Sequence, residues 1–228
     1  SIQEQSIHHL LRGSGDVVIS SPTASGKTEA AFLPILSAIT DTPSGSVRAM
    51  YIGPLKALIN DQFGRVEDLC ARLEVPVCKW HGDVNDGPKR RLIESPAGVL
   101  LITPESLEAI FVRRPTTVPK LFCKLAYVVV DEMHAFIGTE RGAQVVSQLH
   151  RLRRRAGCDP VLIGLSATLG DAEAALRWLR PNGRPATLIQ DTSARADLFI
   201  KVRGIWSRRL PRLNEDNAGE DADPSYVE

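Results

Sequence analysis

Short apolar runs separated by amphipathic stretches organise this chain. Asp16–Ser20 (DVVIS), Ser46–Ile52, Val75–Trp80, Gly98–Ile102, Leu125–Val130 and Pro160–Leu165 are strand-sized and rich in apolar or β-branched residues. Strands that are apolar throughout, instead of alternating with polar positions, are buried on both faces. Between them, Thr28–Thr40, Leu55–Leu73, Pro104–Phe111, Gly142–Arg155 and Asp171–Leu179 carry helical composition or spacing. Repeated β-α units of this kind predict an α/β fold: a mainly parallel sheet with helices on both faces. The rhythm stops near Arg203. Residues 1–203 read as one domain, and 204–228, a mixture of Pro, Arg and acidic residues, as a linker or frayed segment. The first residues already lie inside a motif, so a longer parent protein is expected.

Size and composition narrow the class. The chain has 228 residues, 43% of them hydrophobic, enough for one substantial core. No apolar run approaches the roughly 18 residues of a membrane span. With no secretory signal, a cytoplasmic protein without a membrane partner is expected. Cys70, Cys78, Cys123 and Cys158 lack CxxC spacing, and His8, His9, His81 and His150 lack metal-ligand spacing. Neither a disulfide framework nor a protein-bound zinc is expected. The net charge of +1 is uneven: Asn214–Glu228 holds six acidic residues and no base, so removing that −6 leaves +7 for residues 1–213. A basic body permits a nucleic-acid partner without demanding one.

Ser21-Pro22-Thr23-Ala24-Ser25-Gly26-Lys27-Thr28 follows the DVVIS strand and opens a helix. It fits the Walker A pattern G-x-x-x-x-G-K-[ST], with Ser21 in place of the first Gly. In such a loop, backbone N–H groups from Thr23 to Thr28 wrap a phosphate and Gly26 permits close approach. Lys27 sets a charge between β- and γ-phosphates, and the Thr28 hydroxyl ligates Mg²⁺. The cofactors implied are ATP and Mg²⁺. Gly13-Ser14-Gly15 precedes the strand and lacks a third Gly, so it reads as a turn and not a dinucleotide fingerprint. A P-loop alone does not separate kinase, transporter ATPase, GTPase and helicase. Tyr127-Val128-Val129-Val130-Asp131-Glu132 supplies the acidic strand end that such a site needs, with Asp131 on the Mg²⁺ shell and Glu132 polarising the attacking water.

These residues carry a family resemblance. Asp131-Glu132-Met133-His134 is a DExH box, Ser166-Ala167-Thr168 resembles helicase motif III, Thr103-Pro104-Glu105-Ser106-Leu107 motif Ib, Pro54-Leu55-Lys56-Ala57-Leu58 motif Ia, and Gln3-Glu4-Gln5-Ser6-Ile7 the tail of a Q motif. The chain resembles the first RecA-like P-loop NTPase domain of a superfamily 2 DEAD/DEAH-box (DExH) helicase. The segments around these motifs, with Trp80-His81-Gly82-Asp83, resemble the Lhr-like (large helicase-related) group. Met133 stands where Val or Ile is usual.

The resemblance implies roles. Gln3 would read adenine, and His134 would couple the ATP site to motif III and to a second RecA-like domain. Ser166 and Thr168 would bond to the carboxylates of the box. Pro54, Lys56, Thr103, Pro104 and Glu105 belong to loops that grip nucleic-acid phosphates without regard to sequence. Arg141 is a further backbone contact or a helix-start cap. The Arg151–Arg155 run and Lys89-Arg90-Arg91 read as solvated helix ends, and Trp80 and Trp178 as core. The partners implied are nucleic acid, DNA ahead of RNA, and the second RecA-like domain, whose arginine finger is typically worth about 10³–10⁵ in rate. Nothing after Thr168 matches that finger, so the chain by itself is expected to turn ATP over poorly. The function expected is that of the motor domain of a 3′→5′ DNA helicase or translocase. An RNA helicase domain, or a nucleotide-gated binding module without turnover, remains the alternative.

Overall fold

The computed structural model describes residues 1–22, 25–40, 45–180 and 185–190. In chain order its elements are α1 (Ile2–Leu11), β1 (Asp16–Ser20), α2 (Lys27–Ile39), β2 (Ala49–Ile52), α3 (Lys56–Ala71), β3 (Val77–Trp80), α4 (Asp86–Glu94), β4 (Val99–Ile102), α5 (Pro104–Arg113), α6 (Thr117–Phe122), β5 (Tyr127–Val130), a 3-10 turn (Met133–Ala135), α7 (Glu140–Ala156), β6 (Val161–Ser166), α8 (Ala172–Leu179) and β7 (Ala186–Gln190). The seven strands form one sheet in the order β3-β4-β2-β5-β6-β1-β7, and every pairing is parallel.

The five inner strands are buried on both faces because successive side chains enter two different cores. Val18, Met50, Ile52, Leu100, Ile102, Val128 and Val130 pack under α4–α8. Their neighbours Val17, Ile19, Tyr51, Leu101, Val129 and Ile163 pack under α1–α3. That two-sided burial is why the strands lack polar alternation. A parallel sheet also sends every strand's C-terminal end to one edge, where ligands of open α/β folds bind.

Two helices and one strand went unanticipated, and α4 is marked only by its Lys89-Arg90-Arg91 run. Helix α1 opens with a capping box, Ser1 accepting from Glu4 N–H while the Glu4 carboxylate returns to the Ser1 amine. Helix α4 is polar, with only Leu92 buried, and α6 is six residues long. Strand β7 is an edge strand beside β1, with only Ile189 buried, so it has no continuous apolar run to announce it. At the opposite edge of the strands from the P-loop, the Arg180 guanidinium bonds both oxygens of Asp16 and the Pro160 carbonyl, and Leu162 N–H reaches Asp16 at 2.7 Å. The 204–228 segment lies outside the described residues.

Candidate nucleotide and nucleic-acid site

The P-loop leaves β1, the DExH box leaves β5, and the Ser166–Thr168 segment leaves β6, the strand between them. Register fixes the relation: Ser20 is opposite Ser166, and Val130 opposite both Ile52 and Gly164. The strand ends are tied across, Ser21 N–H to the Ser166 carbonyl at 3.1 Å and Asp131 N–H to the Ile52 carbonyl at 2.9 Å. Sheet order thus brings residues more than a hundred positions apart to one edge.

In the P-loop, Gly26 has φ +79°, the left-handed region that glycine enters without strain, and it caps the start of α2. The next residue, Lys27, folds back to donate to the carbonyls of Ser21 (2.5 Å) and Pro22 (2.8 Å). Burial lowers its pKa from the ordinary lysine value, against the opposing pull of Glu132 and Asp131. The ammonium therefore sits within the field of both box carboxylates. Thr28 is buried and donates to Gln62 Oε1 on α3 at 3.2 Å. Gln3 reaches the loop from α1, donating to the Gly26 carbonyl at 3.5 Å. Thr23 and Ala24 lie outside the described residues.

The acidic pair is held differently. Asp131 is 7% exposed and accepts from the hydroxyl of Tyr51, whose pKa is raised first by burial and then by Asp131. Glu132 has φ +47°, an uncommon conformation for a side-chain-bearing residue and a feature that clusters at functional sites. Its Oε2 is buried without an aligned hydrogen-bond donor, and His134 Nδ1 lies 3.3 Å away. His134 Nδ1 is also 3.2 Å from Ser166 Oγ, and the Ser166 hydroxyl donates to the Thr168 carbonyl at 2.6 Å. Motif III therefore meets the box through His134, and not through the carboxylates as expected; Thr168 is exposed. The reason is position: β6 places Ser166 beside the 3-10 turn that carries His134, while Tyr51 already occupies Asp131.

The loops after β2 and β4 lie along the same edge. Lys56 pairs with Asp83 at 2.8 Å, which lowers the pKa of the aspartate through that hydrogen bond. Thr103 caps α5 through Ser106 N–H, with Pro104 in the first turn. Arg141 is not the helix cap, since Thr139 caps α7; it donates to Glu105 Oε1 and to the Pro54 carbonyl, each at 2.6 Å. It fastens the Pro54 loop to the Thr103–Glu105 segment. Two members of the arginine run are also partnered, Arg151 with Glu108 and Arg153 with Asp159. Trp80 is 7% exposed, and Trp178, partly buried, stacks on Phe136 at 6.2 Å.

These residues fit Mg²⁺–ATP. The buried hydroxyls of Ser21 and Ser25 have no hydrogen-bond partner among the described residues, the loop ends at a helix N-terminus, and Lys27, Thr28 and Asp131 are the donor set a hard cation and phosphate require. A family model, DEAD/DEAH box helicase, matches residues 1–176. The chain belongs to the DEAD/DEAH box helicase family. It is 36% identical over 196 residues to the ATP-dependent helicase Lhr-Core of Methanothermobacter thermautotrophicus, covering 78% of this chain and 22% of that protein. Among solved structures it is similar to DUF1998 helicase MrfA bound to DNA and AMPPNP (28% identity, TM-score 0.72, covering 85% of this chain and 27% of that one). It is also similar to Mycobacterium smegmatis helicase Lhr bound to ssDNA and AMP-PNP (29%, TM-score 0.69, 84% and 26%). The chain thus spans about a quarter of the length of these relatives, and its fold is that of a RecA-like helicase domain. Among the described residues, no helix is long and apolar enough to cross a membrane.

Tyr51 and Gln62 were missed by sequence reasoning. Tyr51 sits in an apolar strand and reads as core, and Gln62 reads as a surface position on α3. No motif signal marks either.

Proposed function

We propose that the chain is the ATP-binding motor domain of a nucleic-acid helicase or translocase that acts on DNA with 3′→5′ polarity. The observation that carries this reading is the gathering of Lys27, Thr28, Asp131 and Glu132 at the strand edge that also carries the Pro54 and Thr103 loops. Lys27 would exchange its two loop carbonyls for phosphate oxygens, and Gln3, at the mouth of the loop, would read the adenine. Backbone N–H groups of residues 23–28 would cradle the phosphates. Thr28 and Asp131 would hold Mg²⁺, which supplies neutralisation of charge on the transferring phosphoryl group. Glu132 Oε2, buried and with His134 Nδ1 3.3 Å away, would accept the proton of the attacking water. His134, between Glu132 and Ser166, would pass the state of that site to motif III.

Lys56, the Thr103 hydroxyl and backbone N–H groups of the α5 first turn, which Pro104 and Glu105 open, would hold backbone phosphates of one strand, while Arg141 keeps the two loops in register. The DNA-bound states of the MrfA and Lhr neighbours support DNA as the substrate. Rapid hydrolysis would need a second RecA-like domain supplying an arginine finger, worth about 10³–10⁵ in rate. The test is steady-state ATP hydrolysis by the polypeptide that carries both domains, with no nucleic acid, single-stranded DNA or single-stranded RNA. Stimulation by DNA, abolished by Glu132→Gln, is expected. Stimulation by RNA alone overturns the substrate assignment, and no turnover under any condition, despite ATP binding, overturns the motor reading.

A further inference from the structure

The two side chains assigned to Mg²⁺ are each gripped by a residue outside the motif segments named above. Thr28 Oγ1 donates to Gln62 Oε1 at 3.2 Å, with both residues buried. The Tyr51 hydroxyl donates to Asp131 Oδ2, and Tyr51 is 0% exposed. Both gripping residues come from one β-α unit. Tyr51 lies in β2, Gln62 lies in α3, and the Pro54–Lys56 loop connects those elements.

The chemistry matches what a metal site asks of its surroundings. Tyr51 stands in the run Ala49-Met50-Tyr51-Ile52, otherwise wholly apolar, where phenylalanine would fill the same volume beside Phe32 without carrying a polar atom into the core. A buried phenol is costly unless its hydroxyl is bonded, and here the bond goes to the box aspartate. That bond occupies one lone pair of Oδ2 and fixes the carboxylate plane, leaving Oδ1 for a cation or its water. Gln62 acts on the other side with opposite polarity. By accepting the Thr28 hydroxyl proton it turns the Oγ lone pairs away from itself and toward a ligand. A hydroxyl that ligates a cation must give its hydrogen to something else, and Gln62 Oε1 is that acceptor.

We propose that Tyr51 and Gln62 are positioning residues for the Mg²⁺ of Mg²⁺–ATP, one orienting Asp131 and the other Thr28, both supplied by the segment that carries the Pro54–Lys56 loop. The inference rests on the reading of this site as one for Mg²⁺–ATP. The test is equilibrium binding of N-methylanthraniloyl-labelled AMPPNP to the full chain, once with excess Mg²⁺ and once with EDTA. Wild type, Tyr51→Phe, Gln62→Met and the double variant are compared, with melting in the absence of nucleotide as the check on folding. The expected result is wild-type affinity in EDTA for every variant. The gain on adding Mg²⁺ falls about tenfold or more in each single variant, the usual scale for loss of a group that orients a metal ligand. Variants that keep the full Mg²⁺ gain, or that lose affinity equally with and without the metal, overturn the inference. A wild-type chain that binds the nucleotide without any gain from Mg²⁺ also overturns it. A wild-type chain without nucleotide affinity overturns the ATP reading first, and the inference with it.

Discussion

Arg180→Met is the perturbation whose size the structure fixes best. The side chains of Arg180 and Asp16 are 5% and 3% exposed. The guanidinium satisfies both carboxylate oxygens and also bonds the Pro160 carbonyl at 3.1 Å, while Asp159 lies 3.4 Å from its third nitrogen. Methionine would fill much of the volume but leave Asp16 as a buried charge with Leu162 N–H as its remaining donor. Removing one partner of such a pair costs about 3–5 kcal/mol, because the other charge stays desolvated. In a domain of this size that corresponds to a fall in Tm of roughly 6–20 °C. The double variant Asp16→Leu/Arg180→Met removes both charges and should recover much of the loss, since a buried pair contributes little beyond its own desolvation. Urea unfolding of the wild type, both single variants and the double variant gives the coupling directly. A cost below about 1 kcal/mol for Arg180→Met would refute the reasoning. So would a double variant less stable than Arg180→Met.

Arg141→Glu should weaken single-stranded DNA binding, and adding Glu105→Arg should restore part of it by rebuilding the link between the two loops; fluorescence anisotropy that finds no restoration would instead make Arg141 a phosphate contact. Gly142→Ala should destabilise by more than about 1 kcal/mol, since a Cβ there would lie 1.9 Å from the Phe136 carbonyl. Gly64→Ala, on the exposed side of α3 with nothing within 4 Å, should raise stability by about 0.5–1 kcal/mol; thermal melts check both. The Arg151 hydrogen bonds beside Glu108 hold its carboxyl below the ordinary value of 4.5. Glu108 is then a stronger acid when folded than unfolded, so its contribution is present above that value and is lost as the pH falls through the folded-state pKa. Glu108→Gln should therefore flatten the acid limb of a stability–pH curve below pH 4.5.

What the residue pattern revealed, and what it hid, follows from how each element is stabilised. Strands β1, β2, β4, β5 and β6 are legible because burial on both faces removes the polar positions that would interrupt them, and the edge strand β3 is legible from its Val and Trp positions although Lys79 interrupts it. Strand β7 depends on hydrogen bonds to one neighbour and buries only Ile189, so Ala186–Gln190 carries no such signal. Helix α4 shows only a basic run and no apolar periodicity, because Leu92 alone enters the core. Lys27, Thr28, Asp131 and Glu132 are legible because phosphate and metal chemistry dictates residue type at fixed spacing. Tyr51 and Gln62 are not, because what matters is the atom each side chain reaches, and that depends on β2 lying beside β5 and on α3 lying against α2. Arg141 shows the same gap: its bonds to Glu105 and the Pro54 carbonyl depend on how α7 packs, which its charge alone does not reveal.

ATP binding and turnover measured on the same variants separate the role of the P-loop from that of the box. Lys27→Ala should abolish detectable ATP binding. Glu132→Gln should bind ATP as wild type does yet show no hydrolysis, even in the two-domain polypeptide with single-stranded DNA present. Undiminished ATP binding by Lys27→Ala, or undiminished hydrolysis by Glu132→Gln, would contradict the assignment of this strand edge as the ATP site.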